Sequence, residues 1–222
     1  MRTLYHFPIH AASRKIRLML REKRLQTEIV DEQAWQRREA FLRMNPAGEL
    51  PVLVELDGAV IPGETVIAEY LEEAYPGRSL LGKGLIQRAE VRRIAAWFDA
   101  KFRREVTETL ADEKVLKRVM RRGQPDSAAI RAGHANIRYH LDYIGWLYER
   151  RNWLAGEDFS LADITAAAEL SCVDYVGDVP WDAYPGARDW YARVKSRPSM
   201  RAILDDALPG FPPAPHYADP DF

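Results

Sequence analysis

Asn45-Pro46-Ala47-Gly48-Glu49-Leu50-Pro51-Val52-Leu53-Val54-Glu55-Leu56-Asp57-Gly58 is the stretch on which the fold turns. It contains a short apolar run, Val52 to Leu56, followed by Asp57-Gly58 and a second run, Ala59-Val60-Ile61. Asp-Gly between two apolar runs is a strong hairpin signal, because the two-residue turn it favours needs positive φ at both central positions. Pro51 stands at the mouth of the first strand, where its missing N–H takes nothing from the ladder. Leu50, before the proline, is pushed into an extended conformation. Its N–H and C=O are then free to pair with the main chain of a peptide-like ligand. Taken alone the stretch reads first as an ordinary proline-bounded edge strand, and its flanks decide the matter.

Upstream, residues 2 to 7 mix Leu, Tyr and Phe in an extended pattern that Pro8 stops. A helix is expected from Ser13, with Ile16, Met19 and Leu20 on one side and a heavily basic other side. Ser13 is the expected N-cap, and a helix N-terminus at this point favours an anion such as a thiolate or carboxylate. Gln26 to Asp31 reads as a second strand and residues 35 to 44 as a short helical stretch. Downstream, Ile67, Leu71 and Ala74 mark a helix that starts at Glu64 and ends before Pro76-Gly77. The order β-α-β-α-β-β-α describes an α/β domain of thioredoxin-like type over residues 1–76.

Residues 77–85 form a linker, after which strand signals vanish. Val91, Ile94, Ala95, Phe98, Phe102, Val106 and Leu110 make one helical stripe, and Ile130, Ile137, Leu141, Ile144 and Tyr148 another. Gly123-Gln124-Pro125-Asp126 separates them. Ser160-Leu161-Ala162-Asp163 is a capping box, with Phe159 and Ile164 as its hydrophobic staple. Ala187 to Lys195 and Ser199 to Ala207 close an all-helical domain over 86–207. Residues 208–222 are too rich in proline for a helix and are expected to run extended over the surface. Their aromatics, Phe211, Tyr217 and Phe222, favour a docked or partner-binding tail over a purely solvating one.

The chain has 222 residues, a formal net charge of −1 and a pI near 6.5, so nothing draws it globally to nucleic acid or to an anionic membrane. Its single cysteine, Cys172, has no internal disulfide partner. Without an apolar signal region at the N-terminus or a stretch long enough to span a bilayer, a cytoplasmic protein is expected. No metal site is assigned.

Leu4-Tyr5-His6-Phe7-Pro8, Ser13-Arg14-Lys15-Ile16-Arg17 and Gly63-Glu64-Thr65-Val66-Ile67-Ala68-Glu69-Tyr70-Leu71, in this order around Pro51, resemble the N-terminal domain of the glutathione transferase superfamily. The staple and capping box in an all-helical second domain resemble the same superfamily. The resemblance implies a cis bond at Pro51 and pairing of the Leu50 main chain with the cysteinyl part of glutathione. It places the γ-glutamyl end of the tripeptide at Glu64 and Thr65 and its sulfur over the start of the Ser13 helix. In the serine and cysteine classes the activating group opens a four-residue loop before that helix. Here the loop is His10-Ala11-Ala12-Ser13, so His10 takes the first position and Ser13 the fourth. These two are the candidate catalytic residues. Glutathione binding is expected ahead of turnover, because the usual hydroxyl or thiol is replaced.

Two surface features point to a protein partner. Lys114, Lys117, Arg118, Arg121 and Arg122 fall at helical spacing and make a basic face with no acid between 114 and 122. Trp35, in the polar run Gln33 to Glu39, is a candidate interface anchor. Trp35-Gln36-Arg37-Arg38-Glu39, Asp174 to Trp181 and the ending His216-Tyr217-Ala218-Asp219 resemble, within the superfamily, a subgroup of alphaproteobacterial division proteins. That resemblance implies a homodimer that binds the tubulin-like FtsZ and shapes its filaments, with Trp35, Lys117, Arg118, Arg121, Tyr217 and Phe222 as candidate contacts. The alternative is a cytosolic transferase that conjugates glutathione to small electrophiles through Ser13 or His10.

Overall fold

The structure, a computed structural model, describes residues 1–219. Strand β1 (Arg2–His6) leads into helix α1 (Ala11–Glu22), then strand β2 (Thr27–Asp31) and the short helix α2 (Glu39–Met44). The hairpin β3 (Val52–Val54) and β4 (Val60–Pro62) precedes helix α3 (Glu64–Ala74). The sheet order is β2-β1-β3-β4, with β2 parallel to β1 and the remaining pairs antiparallel. Leu4 pairs with Leu53 and Tyr5 with Val52, so the Pro51 segment is fixed against the central strand.

The hairpin lies where Asp57-Gly58 predicts, but the turn is longer. Its first strand stops at Val54 rather than Leu56, and only Gly58 of the pair has positive φ, at 89°. Glu55 causes this. Arg2 Nε donates to its carboxylate at 2.7 Å and the Tyr75 hydroxyl at 3.1 Å, while its own N–H donates to the Ala59 carbonyl at 2.9 Å. The turn therefore closes from Glu55 to Gly58, and the left-handed glycine rejoins the ladder as a bulge.

The expected cap of α1 is also corrected. The helix begins at Ala11 with His10 at the N-cap position, and no side chain caps it. Ser13 lies inside the first turn. The basic side of α1 does not face water: Arg14, Lys15 and Arg17 are buried. Arg14 donates to the Pro8 carbonyl at 2.6 Å and to Ser171 Oγ at 2.9 Å, Arg17 grips Asp206 at 2.8 Å, and Lys15 meets Asp99 at 2.5 Å. These cations join the two halves of the molecule, and each is hydrogen-bonded as buried charge requires.

The helical half opens with α4 (Leu85–Ala96), which continues unbroken through wider π-type turns over Trp97–Leu116 and a last α-turn, Lys117–Val119. The apolar residues Phe98, Phe102, Val106 and Leu110 recur every fourth residue and are all buried. A four-residue period drifts off a 3.6-residue turn; wider turns hold the row against the core. Helices α5 (Ser127–Tyr148), α6 (Leu161–Tyr175), α7 (Pro185–Lys195) and α8 (Arg201–Leu204) follow. The Ser160–Asp163 capping box forms as read from the sequence, and Asp163 also accepts from Trp190 Nε1 and Leu154 N, each at 3.0 Å. Helix α6 is buried along its whole length, which is why it shows no polar face.

The last segment is docked. Tyr217 is fully buried and its hydroxyl donates to the Ile203 carbonyl at 3.0 Å. The Ala214 N–H donates to the Tyr175 carbonyl at 2.9 Å, and the Tyr175 hydroxyl to the Phe211 carbonyl at 2.6 Å. Among the described residues no helix is long and apolar enough to cross a membrane.

Candidate functional site

A groove of about 590 Å³ opens between the two halves, bounded by the Leu50 segment and the residue before α3 on one side and by the long α4 continuation on the other. The Leu50–Pro51 bond is cis. The Pro51 carbonyl accepts from Gly63 N at 3.0 Å, which ties the segment to the start of α3. Asn45 shapes the approach: its Nδ2 donates to the Glu49 carbonyl at 2.9 Å and its Oδ1 accepts from Ala47 N at 3.2 Å. Gly48 has φ +69°, and a Cβ there would lie 3.2 Å from Leu42, so the turn requires glycine. Among the described residues the Leu50 N–H and C=O have no hydrogen-bond partner. They are the pair a peptide main chain needs.

Glu64 opens α3 and lines the groove, but its carboxylate is already held by Arg103, at 2.8 and 3.0 Å. Burial pushes the Glu64 carboxyl up; the hydrogen bonds and charge of Arg103 win and hold it below its ordinary value. Arg103 also donates to Glu169 at 2.8 Å, and Glu169 accepts from the Thr107 hydroxyl at 2.6 Å. Thr65 is exposed in the first turn of α3, where its N–H and hydroxyl are open to an anion.

His10 lines the groove and Ser13 does not. Ser13 is fully buried, with its Oγ 3.1 Å from His10 Nδ1 and accepting from Phe7 N at 3.4 Å. Burial, with the nearby Arg103 charge, pulls the His10 imidazole down to about 4, so it is neutral near pH 7. None of the groove-lining residues carries a hydroxyl or a thiol. Cys172 is buried elsewhere, donating to the Ile9 carbonyl at 3.2 Å, and burial holds its thiol up at about 12. The residues present therefore fit the main chain and the carboxylate of a tripeptide thiol, and the groove also holds the neutral His10 imidazole at the N-terminus of α1.

Residues 4–79 match the model of the glutathione S-transferase N-terminal domain and residues 131–198 that of the C-terminal domain. The chain belongs to the glutathione S-transferase superfamily. Within the superfamily it is 48% identical to FtsZ-localized protein A of Caulobacter vibrioides, covering 100% of this chain and 98% of that one. A solved glutathione S-transferase from Rhodospirillum rubrum F11 superposes with a TM-score of 0.98 at 58% identity, over the whole of both chains. The structure titled FzlA from C. crescentus superposes with a TM-score of 0.96 at 48% identity, over 100% of this chain and 99% of that one. In this member of the superfamily Leu50 and Glu64 line one groove, with Pro51 next to Leu50 in the chain and Thr65 next to Glu64 in the first turn of α3.

The predicted partner contacts are rearranged. The basic face does not exist as one surface, because the helix ends at Val119 and Arg121 takes a left-handed φ of 57°. Lys114 pairs with Asp178 at 2.5 Å and Lys117 with Glu113 at 2.9 Å. Arg118 and Arg121 stay exposed, and Arg118 lies over the Phe211 ring. Trp35 is no free anchor: it packs edge-on against Phe7, with centroids 4.9 Å apart, and lines the groove. Tyr217 is inside the fold and presents nothing to a partner while docked. Phe222 lies outside the described residues. The sequence reading missed Asn45, Gly48, Arg103, Glu108 and Asp112. Asn-Pro-Ala-Gly is a turn signal that finds the first two; the others carry no local mark.

Proposed function

We propose that this chain is a dimeric, cytoplasmic member of the superfamily that binds FtsZ and modulates division filaments, with a glutathione-binding groove and little or no conjugating activity. The observation that carries the reading is the 48% identity to FtsZ-localized protein A, which spans 100% of this chain and 98% of that one. A groove without hydroxyl or thiol supports the second half of it, since conjugation needs a group that favours the thiolate. Exposed Arg118, which lies over the Phe211 ring of the docked tail, Arg121 and Arg122 are the cations of the run open to an acidic filament, and a two-fold dimer offers each of them twice. Co-sedimentation with FtsZ filaments tests the reading. The intact protein is expected in the pellet at low salt; its absence there ends the proposal.

A transferase reading draws on the Rhodospirillum structure, a glutathione S-transferase by name and 58% identical. Conjugation of 1-chloro-2,4-dinitrobenzene decides between them, with a robust rate favouring the enzyme.

A further inference from the structure

A second cavity, of about 610 Å³, lies on the seam between the two halves and shares no residue with the groove. It is bounded by the end of α1, by Arg78 of the linker and by the turn that follows α7. Four arginines line it, Arg21, Arg24, Arg78 and Arg197, against one carboxylate, that of Glu22. The carboxylate is consumed: it accepts from Arg197 Nε and Nη2, each at 2.8 Å, and from the Ser199 hydroxyl at 2.5 Å. Arg197 is fixed further by the Phe159 ring, whose centroid lies 3.7 Å from its Cζ, so its guanidinium is a rigid plane set across the seam. Arg78 Nη1 donates to the Glu22 carbonyl at 3.1 Å and answers the half charge at the C-terminus of α1. Arg21 and Arg24 are exposed, and neither side chain has a partner among the described residues.

The backbone under Arg24 is a separate observation. The Leu25 N–H donates to the Leu20 carbonyl at 2.9 Å and the Arg24 N–H to the Arg21 carbonyl at 3.0 Å, the paired bonds of a Schellman turn. The left-handed position of that turn favours glycine, and here Arg24 fills it with φ 58°. The chain holds a strained backbone to set one more guanidinium at a cavity whose single carboxylate is already used.

We propose that this cavity is a binding site for a small polyphosphate, a molecule carrying two or more linked phosphoryl groups. Guanidinium forks match phosphate oxygens in pairs, and the volume is that of a small-ligand site. Guanidiniums that nothing within the chain neutralises favour a ligand with several negative charges over one with few. Arg21 and Arg24 belong to the thioredoxin-like half and Arg197 to the helical half, so the ligand touches both. The inference is independent of the glutathione and FtsZ readings.

The probe is inorganic pyrophosphate, titrated calorimetrically into the full-length protein at neutral pH without magnesium, with inorganic phosphate as the single-phosphoryl counterpart. Pyrophosphate is expected to bind about tenfold more tightly than phosphate. Arg24→Gly is the deciding variant, because it removes the guanidinium and relieves the left-handed backbone together. It is expected to melt no lower than the parent and to bind pyrophosphate about fivefold more weakly, the upper end for an exposed ion pair. Arg21→Gln is expected to lose about threefold and serves as the test if Arg24→Gly fails to fold. Arg138→Gln, at an exposed arginine of α5 outside the cavity, is expected to bind as the parent does. Pyrophosphate that binds no better than phosphate, or that binds the folded cavity variants as it binds the parent, overturns the proposal. So does an equal loss in Arg138→Gln, which would mark general surface charge rather than a site.

Discussion

Ser13 Oγ and His10 Nδ1 lie 3.1 Å apart, and the serine is fully buried behind the histidine. The Ser13 hydroxyl is spent on the protein itself, on His10 and on the Phe7 N–H. His10 in turn faces the groove as a neutral ring, its protonation suppressed to about 4 by burial and by Arg103. A neutral imidazole offers a thiolate a hydrogen bond and no charge.

Ser13→Ala is therefore expected to change the conjugation rate with 1-chloro-2,4-dinitrobenzene by less than about twofold, from a low starting value. The stability loss is the net worth of one buried hydrogen bond, about 1 kcal/mol, read from urea denaturation. A robust parental rate abolished by Ser13→Ala would show that the loop shifts to expose this hydroxyl on binding.

Arg103 ties Glu64 at the groove to Glu169 on the buried helix α6. Arg103→Met strips Glu64 of its cation and leaves Glu169, whose carboxyl is already pushed up to about 8 by burial, without its guanidinium partner. Breaking such a pair from one side costs about 3 kcal/mol, and a matching fall in the urea midpoint is expected. Glu64→Gln keeps one hydrogen bond to Arg103 and is expected to be milder in stability while weakening glutathione by calorimetry. If Arg103→Met melts like the parent, the network is not what seats Glu64.

The hairpin, the order of elements and the capping box were legible because their signals are local: Asp57-Gly58 and Ser160 to Asp163 are each decided within a few residues. What the sequence misplaced depended on partners far along the chain. Glu55 shortened its strand because Arg2 and Tyr75 hold it. The cations of α1 were read as a solvated side, and they are buried because Asp99, Ser171 and Asp206 meet them across the domain boundary. The basic run at 114–122 lost its face to Glu113, one residue outside the run, to Asp178, 64 residues on from Lys114, and to a helix that stops early. Of the groove, the half built on the thioredoxin-like domain was readable through Pro51 and Glu64. The half built by Glu108 and Asp112 was not, because i,i+4 acids on a helix are common and only the fold leaves these two unpaired.

Tyr217 tests whether the tail is an ornament or part of the core. Its ring is fully buried, edge-on to Tyr175 with centroids 5.2 Å apart, and the Arg14 guanidinium lies 5.8 Å from its centroid. Removing a buried aromatic costs on the order of 3–5 kcal/mol. Tyr217→Ala is expected to lower the melting temperature by several degrees or more, and truncation after Leu208 at least as much. Filament binding by a truncated chain must therefore be scored against its folded fraction; a truncated protein that melts as the parent does would show that the tail is not integral to the core.

The opposing titrations of Asp112 and His10 give a pH signature with a defined sign. Asp112 titrates near 7 in the folded chain and near 3.9 when unfolded. Between those values the native state holds the proton and the unfolded state does not, so this group's contribution to stability is greatest at acid pH and is lost as pH rises through 7. His10, at about 4 when folded and about 6.5 when unfolded, acts in the other direction. Its contribution is complete above 6.5 and is lost as pH falls toward 4. Across roughly pH 4 to 6.5 the two partly cancel in the parent protein. Asp112→Asn removes one side of the balance. Its melting temperature relative to the parent is expected to rise steadily from pH 4 to 7 and level off above, and the variant's own melting temperature to climb with pH more steeply than the parent's from 4 to 6.5. Calorimetric melts at half-unit pH steps measure both, and a constant offset between the two proteins would mean that Asp112 titrates as an ordinary exposed carboxyl.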